Sequence, residues 1–320
     1  MGKVSEVRPS ACLPVIQFLI VLSSAALGLC CLEDVHPGTC TCTPFGDSRT
    51  VVKCSGITRV PDDLPSNTVI LNLSGNHLTS IKEDAFTNLT LLKNVDLSWN
   101  DLRSVPKNTF RNLTLLETMQ SGENILFYPH RNINNNFIQG GFYLPKNSAI
   151  VLVRFNRLSL IDLKLILKHS KRIKNLDIAG NPIGPNLTVD TFEGCENMIF
   201  LCLRKCGLKH IESGTFKSME QLADLDLASN MLSRMEPETF KGLSDKLKFL
   251  DLHNNSLSTI LDGTFSRFKS LSSLFLKTNK LTSVPDLTGL TNLVKLDMQR
   301  NKIKDISRLN SATSKVVRDL

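Results

Sequence analysis

Aromatic side chains suited to base stacking are scarce, since the 320 residues include one tryptophan and two tyrosines. Proteins that bind single-stranded nucleic acid stack bases on such rings, and no recognised nucleic-acid module is visible, so we expect no nucleic-acid partner. Catalytic motifs are also missing: there is no H-E-x-x-H, no G-x-S-x-G and no phosphate-binding loop, and the six histidines are scattered. We therefore expect no enzymatic activity, no catalytic residue and no cofactor.

Long hydrophobic runs are confined to the N-terminus. Lys3 and Arg8 precede an apolar stretch over residues 13–29, which carries the small residues Ala25, Ala26 and Gly28 near its end. This order is typical of a secretory signal peptide. The stretch is shorter than the roughly 20 residues that span a bilayer comfortably, and no later stretch reaches that length. The sequence predicts a signal peptide over residues 1–28 and a secreted protein without a transmembrane segment, with an uncleaved membrane anchor as the alternative.

A short pattern of leucines and one asparagine repeats along the chain. The segment LNLSGNHL at 71–78 returns as VDLSWNDL at 95–102 and as LDLASNML at 225–232, and the interval is about 24 residues. This pattern resembles the leucine-rich repeat, in which one unit cannot bury its apolar face alone. The asparagine, or a cysteine in its place, falls at Asn76, Asn100, Asn124, Asn156, Asn181, Cys206, Asn230, Asn255, Asn279 and Asn301. The sequence predicts about ten repeats over residues 67–306 and a polar tail over 307–320.

The resemblance implies an α/β solenoid, a leucine-rich repeat horseshoe with a parallel sheet on its concave side. Strand leucines and back-side phenylalanines such as Phe86 and Phe216 are expected to point inward, where each contributes roughly 1.5–3 kcal/mol on full burial. The repeated asparagine should satisfy backbone groups of neighbouring turns, which cost about 1–3 kcal/mol each when buried and unpaired. We therefore assign these residues to the structure and not to a binding site.

Cysteines crowd just before the first repeat, at Cys30, Cys31, Cys40, Cys42 and Cys54. A solenoid exposes its core at each end, and a small cap with little core of its own is usually stapled by disulfides. The series from Cys31 to Cys54 resembles the N-terminal cysteine-rich cap of extracellular leucine-rich repeat proteins, here residues 29–66. In that family the first cysteine pairs with the third and the second with the fourth, which implies Cys31 with Cys42 and Cys40 with Cys54. Spacing alone allows three pairings, and Cys30 adds another candidate partner.

Three further cysteines, Cys195, Cys202 and Cys206, lie close together in the sixth repeat. With His210 they form C-x6-C-x3-C-x3-H, which can be read as a zinc site. Cys195 and Cys206 occupy core positions of the repeat, so we predict no metal and favour a local disulfide with one spare thiol.

Five N-glycosylation sequons agree with passage through the secretory pathway. They begin at Asn72, Asn88, Asn112, Asn186 and Asn254. Asn88 and Asn112 fall in back-side segments, where a glycan is harmless. Asn72 lies between two strand leucines, so a glycan there would block that end of the concave surface.

Binding residues are expected where the concave face departs from the small polar residues usual in these repeats. Side chains alternate along a strand, so the residue between the two strand leucines and the two that follow the second leucine face outward. Apolar and cationic departures at these positions are Leu152, Arg154, Phe155, Arg204, Lys205, Phe275 and Lys277. Exposed aromatic and arginine side chains are typical interface anchors, although degeneration of the repeats produces the same departures without a ligand.

The interval between Asn124 and Asn156 is longer than the others and contains both tyrosines, Tyr128 and Tyr143. An insertion in a repeat maps to a loop, and such loops often carry contacts, so both tyrosines are candidate ligand-binding residues. A decayed repeat is the alternative, because Ser121 replaces an expected strand leucine.

The chain has a formal net charge of +8. A basic run between the fourth and fifth repeats consists of Lys164, Lys168, His169, Lys171, Arg172 and Lys174. An ordinary solvated face is one interpretation. A basic edge of a secreted protein also suits a sulfated glycan or a membrane surface.

The cap, repeats and sequons together resemble extracellular leucine-rich repeat proteins, and residues 60–124 look most like the start of a Toll-like receptor ectodomain. The resemblance implies a secreted module that recognises an extracellular protein or glycan, including recognition in innate immunity. The alternatives are an extracellular-matrix protein resembling small leucine-rich proteoglycans and the N-terminal part of a membrane receptor. The proteoglycan alternative predicts a C-terminal disulfide, whereas no cysteine follows Cys206.

Overall fold

The computed structural model describes residues 39–46, 48–120, 136–168 and 171–308. Sixteen strands are formed in these residues: β1 Thr39–Pro44, β2 Thr50–Ser55, β3 Thr68–Asn72, β4 Asn94–Asp96, β5 Thr118–Gln120, β6 Ile150–Leu152, β7 Asn175–Asp177, β8 Asn186–Leu187, β9 Phe200–Cys202, β10 His210–Ile211, β11 Asp224–Asp226, β12 Arg234–Met235, β13 Phe249–Asp251, β14 Thr259–Ile260, β15 Ser273–Phe275 and β16 Lys295–Asp297. An α-helix, α1, spans Leu160–Leu167, and a 3-10 helix spans Pro237–Phe240.

Twelve of these strands form one sheet in the order β1-β2-β3-β4-β5-β6-β7-β9-β11-β13-β15-β16. The first pair is an antiparallel hairpin, and every later pair is parallel. Each strand of this sheet from β3 onward begins one repeat, so these ten strands give repeats 1 to 10 from β3 to β16. Two short parallel pairs, β8 with β10 and β12 with β14, lie outside this sheet. The predicted solenoid with a parallel concave sheet is confirmed.

The core consists of strand side chains in front and phenylalanines behind. Leu71, Val95, Leu225 and Leu250 are among the strand residues with almost no exposed surface. Behind them, the rings of Phe86 and Phe110 stack with centroids 5.8 Å apart. Phe142, which lies within the long interval between Asn124 and Asn156, extends this column, with its ring centroid 6.0 Å from that of Phe110. Rings in neighbouring repeats therefore bury one another, which no single repeat can achieve.

The ladder asparagines bond to the backbone of two repeats. Asn100 accepts from the N–H of Leu78 at 3.0 Å and donates to the carbonyls of Leu73 and Leu97 at 2.9 and 3.0 Å. Cys206 has no side-chain amide oxygen to accept the equivalent hydrogen bond. The N–H of Ile183, which lies two residues after its ladder asparagine as Leu78 does, bonds instead to the carbonyl of Asn181 at 2.8 Å. The structural role predicted for these residues follows from these bonds.

The ladder residue of the third repeat is Asn136. Its side chain accepts from the N–H of Leu102 at 2.9 Å and donates to the carbonyl of Leu97 at 2.9 Å, as Asn100 does one repeat earlier. The prediction of Asn124 at this position is wrong, although Asn124 itself lies outside the described residues. The extra residues therefore fall inside the third repeat, between Gln120 at the end of β5 and Asn136. Since β5 pairs directly with β6, the interval is an insertion in one repeat and not a decayed repeat.

Helix α1 lies in the fourth repeat and starts at a capping box. The Ser159 hydroxyl accepts from the N–H of Asp162, and the Asp162 carboxylate accepts from the N–H of Ser159 at 2.9 Å. This reciprocal pair satisfies two backbone donors at the helix N-terminus. The helix buries Leu163, Ile166 and Leu167. Because the helix ends at Leu167, Lys171, Arg172 and Lys174 of the basic run lie in the turn that leads into β7, whereas Lys164 lies in the helix.

The N-terminal hairpin β1–β2 carries the predicted disulfide between Cys40 and Cys54. Cys42 is also disulfide-bonded, but Cys31 lies outside the described residues, so its pairing with Cys42 stays a prediction. The hairpin extends the sheet by one antiparallel pair ahead of the repeats, as expected of a cap. The boundaries predicted for the signal peptide, cap and tail remain predictions. In the described part of the chain, no helix is long and apolar enough to cross a membrane.

The cysteines of the sixth repeat do not form a local disulfide. Cys195 and Cys206 are free thiols and both are buried, whereas Cys202 is disulfide-bonded. The expected pairing within this group is wrong, because two of its three members are core residues of the repeat. Within the described ranges, no group of three or more His, Cys, Asp or Glu side chains could hold a metal ion.

Candidate ligand-binding surface

The aspartates at the central position between the two strand leucines are the last residues of their strands, and they cap the backbone. In each case one carboxylate oxygen accepts a hydrogen bond from the N–H two residues later. The bonds run to Asp96 from Ser98 at 2.9 Å, to Asp177 from Ala179 at 3.1 Å, to Asp226 from Ala228 at 2.8 Å, to Asp251 from His253 at 2.9 Å and to Asp297 from Gln299 at 3.1 Å. The chain turns away from the sheet at this point, so the side chain satisfies a donor that the ladder does not.

The residue before each ladder position adopts the left-handed conformation. Its φ lies between +50° and +72° in the nine repeats where it is described, with Gly75 and Gly180 in two of them. The other residues are Trp99, Phe155, Lys205, Ser229, Asn254, Thr278 and Arg300. Positive φ is uncommon for residues with a side chain, so the turn that precedes the ladder imposes it. We call this row of residues the turn rim.

Three predicted binding residues meet near the turn rim of repeats 4 to 6. The guanidinium of Arg154 forms an ion pair with Asp177, with Nε 2.5 Å from Oδ2. The ring of Phe155 lies over Gly180, and the Nζ of Lys205 is 5.8 Å from the centre of that ring. An ammonium at this distance is attracted to an aromatic face. The structure thus joins an aromatic ring and two cations from separate repeats.

Arg204 belongs to a polar network that extends to the eighth repeat. Its guanidinium is 3.1 Å from Nε2 of His253 and 3.9 Å from the Asp226 carboxylate. The other ring nitrogen of His253 is 2.7 Å from Oδ1 of Asp251. Burial and the neighbouring Asp251 carboxylate raise the pKa of Asp226 to about 7. Sequence analysis missed His253 because Arg204, which its ring contacts, lies two repeats away.

Phe275 lies in an aromatic and cationic cluster with two residues that the sequence analysis missed. Its ring centroid is 5.2 Å from that of Phe249, and the Nζ of Lys295 lies 4.7 Å from its centre. Phe249 and Lys295 are the first residues of β13 and β16, whereas Phe275 is the last residue of β15. Phe249 and Lys295 each lie two positions before the last residue of their strand and therefore on the same face as that residue. The alternation of side chains along each strand, with a period of two residues, is the sequence signal that could have identified both residues. We call these three residues the concave cluster.

The remaining predicted binding residues differ in position. Leu152, the last residue of β6, and Lys277, two residues after the end of β15, are half-buried. Tyr143 lies away from the concave sheet, since its neighbour Phe142 is in the back-side column and its N–H bonds to the carbonyl of Lys107 at 3.0 Å. Tyr128 lies outside the described residues. The two tyrosines are therefore not shown to form one site.

The sequon asparagines lie on different parts of the solenoid. Asn88, Asn112, Asn186 and Asn254 are exposed. Asn72 is half-buried in β3, where its Oδ1 accepts from the N–H and hydroxyl of Ser74 at 2.9 and 2.6 Å. Asn72 thus makes the same backbone cap as the central aspartates, through the oxygen and not through the nitrogen that carries a glycan. Occupancy of the five sequons stays a prediction.

The repeats match the leucine rich repeat family over residues 66–120, 197–246 and 245–303, which together make up about half of the chain. The chain belongs to the leucine-rich repeat family. Among curated proteins, osteomodulin of Bos taurus is 27% identical over 266 residues, 83% of this chain and 54% of osteomodulin. Lumican of Coturnix japonica is 29% identical over 284 residues, 86% of this chain and 71% of lumican. This leucine-rich repeat protein thus spans about half the length of osteomodulin.

Two solved structures share the fold. A leucine-rich repeat protein of Leptospira interrogans matches with a TM-score of 0.61 and 22% identity, over 80% of this chain and 61% of that one. Toll in the Drosophila Toll–Spatzle complex matches with a TM-score of 0.59 and 21% identity, over 78% of this chain and 37% of that chain. Lumican and osteomodulin are extracellular matrix proteins. Together with the Cys40–Cys54 disulfide, these relatives identify a secreted extracellular leucine-rich repeat protein.

Proposed function

We propose that this protein is a non-catalytic binding protein of the extracellular matrix, and that it holds an extracellular protein on the concave face of repeats 4 to 10. The concave cluster of Phe249, Phe275 and Lys295 carries the proposal. The leucines of these strands point to the other face and form the core, whereas the Phe275 ring, which is 8% exposed, packs against Phe249 on the concave side. Aromatic residues are typical of the anchors that dominate binding energy.

The charges of the concave face favour a partner that presents acidic and apolar side chains. The aspartates at the ends of the strands accept bonds from the backbone, which commits one oxygen of each to the fold. Lys277 and Lys295 stand beside the aromatic rings of repeats 8 and 9, and Arg300 lies on the turn rim of repeat 10. An acidic group next to an apolar anchor would complement this end of the solenoid.

The similarity to lumican and osteomodulin favours matrix binding over immune recognition. Lumican and osteomodulin match over more than four fifths of this chain. The similarity to Toll, which binds Spatzle in that complex, is at 21% identity and concerns the fold. Recognition of a protein ligand in innate immunity is therefore the second candidate. The concave face is the proposed ligand surface in both.

The test is incorporation of the secreted full-length protein into a cell-free extracellular matrix, followed by binding to its purified components. A double variant, Phe249→Ala with Phe275→Ala, removes both rings of the concave cluster. Phe45→Ala is the matched control, because Phe45 is 44% exposed and lies in the cap, just after β1. We expect the double variant to lose at least about tenfold in affinity, the effect of 1.4 kcal/mol. Equal incorporation of both variants would exclude the concave cluster as the anchor.

A further inference from the structure

A row of cations lies at the edge of the solenoid where the turns lead into the strands. Lys171, Arg172 and Lys174 precede β7, Lys168 follows helix α1, and Lys146 lies in the turn before β6. All five side chains are exposed. We call this row the basic rim. It is separate from the concave cluster, which belongs to repeats 8 to 10.

The basic rim is held in place by its neighbours on both sides. Arg172 donates from Nη1 to Oδ1 of Asn147 at 3.1 Å, which fixes it against the preceding turn. Asn197, in the following turn, donates to the carbonyl of Lys171 at 3.0 Å. The Lys171 stem also passes Gly194, where a β-carbon would lie 3.7 Å from its Cε. These contacts hold Lys171 and Arg172 against the turns on either side, which lowers the entropy lost when a ligand binds.

The cations of the basic rim have no acidic partner in the described part of the chain. None of the five has a carboxylate within 4.0 Å there. Lys164, from the same basic run, differs, because its Nζ is 2.8 Å from Asp190. That contact and the hydroxyl of Thr188 lower the pKa of Asp190 to about 2. Clustered charges of one sign repel one another unless an anion is bound.

We infer that the basic rim is a binding site for sulfated glycan chains. The cations come from two adjacent turns, and strands in a sheet lie about 4.8 Å apart, so an extended polyanion can contact several of them at once. Arginine presents a planar fork that donates two parallel hydrogen bonds to an oxyanion, and the lysines add mobile point charges around it. The extracellular location of the protein makes such chains available as ligands. This inference does not rest on the proposed concave-face function.

The test is binding of the secreted full-length protein to heparin at physiological ionic strength. The rim variant changes Lys168, Lys171, Arg172 and Lys174 to glutamine. The control variant removes the same charge at four exposed lysines spread over repeats 6 to 10, namely Lys209, Lys217, Lys280 and Lys302. Secretion and melting temperature are compared first, because neither set of exposed residues is part of the core. Chemically desulfated heparin serves as a second probe, because it lacks the sulfate groups but retains the carboxylates.

Each exposed ion contact is worth roughly two- to fivefold in affinity. We expect the rim variant to bind heparin about tenfold or more weakly than the natural protein, the control variant to lose less than about threefold, and desulfated heparin to bind poorly. Equal losses in both variants would mean that only net charge matters and would overturn the inference. So would the absence of heparin binding, including the case in which the rim binds phosphatidylserine vesicles instead. The Phe249→Ala, Phe275→Ala variant should keep full heparin affinity, which separates this result from the concave-face proposal.

Discussion

The ring of Phe155 fills the space that a side chain at Gly180 would need. A β-carbon on Gly180 would lie 2.4 Å from Cδ1 of Phe155 and 2.7 Å from Cε1. Both residues lie on the turn rim with positive φ, in adjacent repeats. Glycine at this position thus serves two purposes, since it adopts the left-handed conformation without strain and leaves room for the ring.

Gly180→Ala is expected to destabilise the protein more than Gly75→Ala. Gly75 has almost the same φ, +67° against +72°, but nothing lies within 4 Å of its would-be β-carbon. Both variants should lose about 1–2 kcal/mol from the left-handed conformation, and Gly180→Ala about 1–3 kcal/mol more from the clash. Urea unfolding monitored by circular dichroism measures both losses. Identical losses would show that the Phe155 ring moves aside freely.

The asparagine ladder predicts which asparagine of the third repeat is structural. Asn136→Ala should lower the free energy of unfolding by about 2–4 kcal/mol, because the buried N–H of Leu102 and the carbonyl of Leu97 would both lose a partner. Asn124→Ala should change it by less than about 0.5 kcal/mol, since the ladder position is filled without it. Equilibrium unfolding of the two variants side by side tests the register. A larger loss of unfolding free energy for Asn124→Ala than for Asn136→Ala would mean that Asn124 is the ladder residue of the third repeat.

The fold was predictable because its signal recurs in each repeat, so leucine periodicity and the ladder asparagine established the solenoid and its sheet. The ladder residue of the third repeat was not predictable, because several asparagines lie at 132–136 and only the backbone groups that they bond to distinguish Asn136. In the candidate binding surface, Phe275, Arg204 and Lys205 were found as departures from the repeat. Phe249, Lys295 and His253 were missed, because their partners come from other repeats and are visible only when strands lie side by side.

The free thiols of Cys195, at the end of the fifth repeat, and Cys206, in the sixth, should resist alkylation in the native state. Cys195 and Cys206 are buried, and burial raises the pKa of each thiol to about 12. Since the thiolate is the reactive species, iodoacetamide at pH 8 should leave both unmodified in the folded protein. The same reagent should modify both after denaturation. Mass spectrometry of the peptides that contain each cysteine measures how much of each thiol is alkylated. Rapid labelling of either one in the native protein would contradict its position in the core.

The carboxylate of Asp226 should make stability depend on pH. Its pKa is raised from 3.8 to about 7 by burial and by the adjacent Asp251. The folded state therefore binds a proton more tightly than the unfolded state does. Stability from this group is fully present below about pH 4 and is lost as the pH rises through about 7.

Asp226→Asn should remove this dependence without breaking the backbone cap. Asn72 makes the equivalent cap through its side-chain oxygen, 2.9 Å from the N–H of Ser74, so an amide suffices at this position. The variant should be more stable than the natural protein at pH 8, by on the order of 1–3 kcal/mol, and the difference should shrink toward pH 5. Asp297→Asn is the matched control, because it also caps a backbone N–H but is paired across the sheet with Phe275 and not with an aspartate. Thermal unfolding at both pH values measures the difference. If the two substitutions shift stability equally at pH 5 and pH 8, the proximity of Asp251 does not control Asp226.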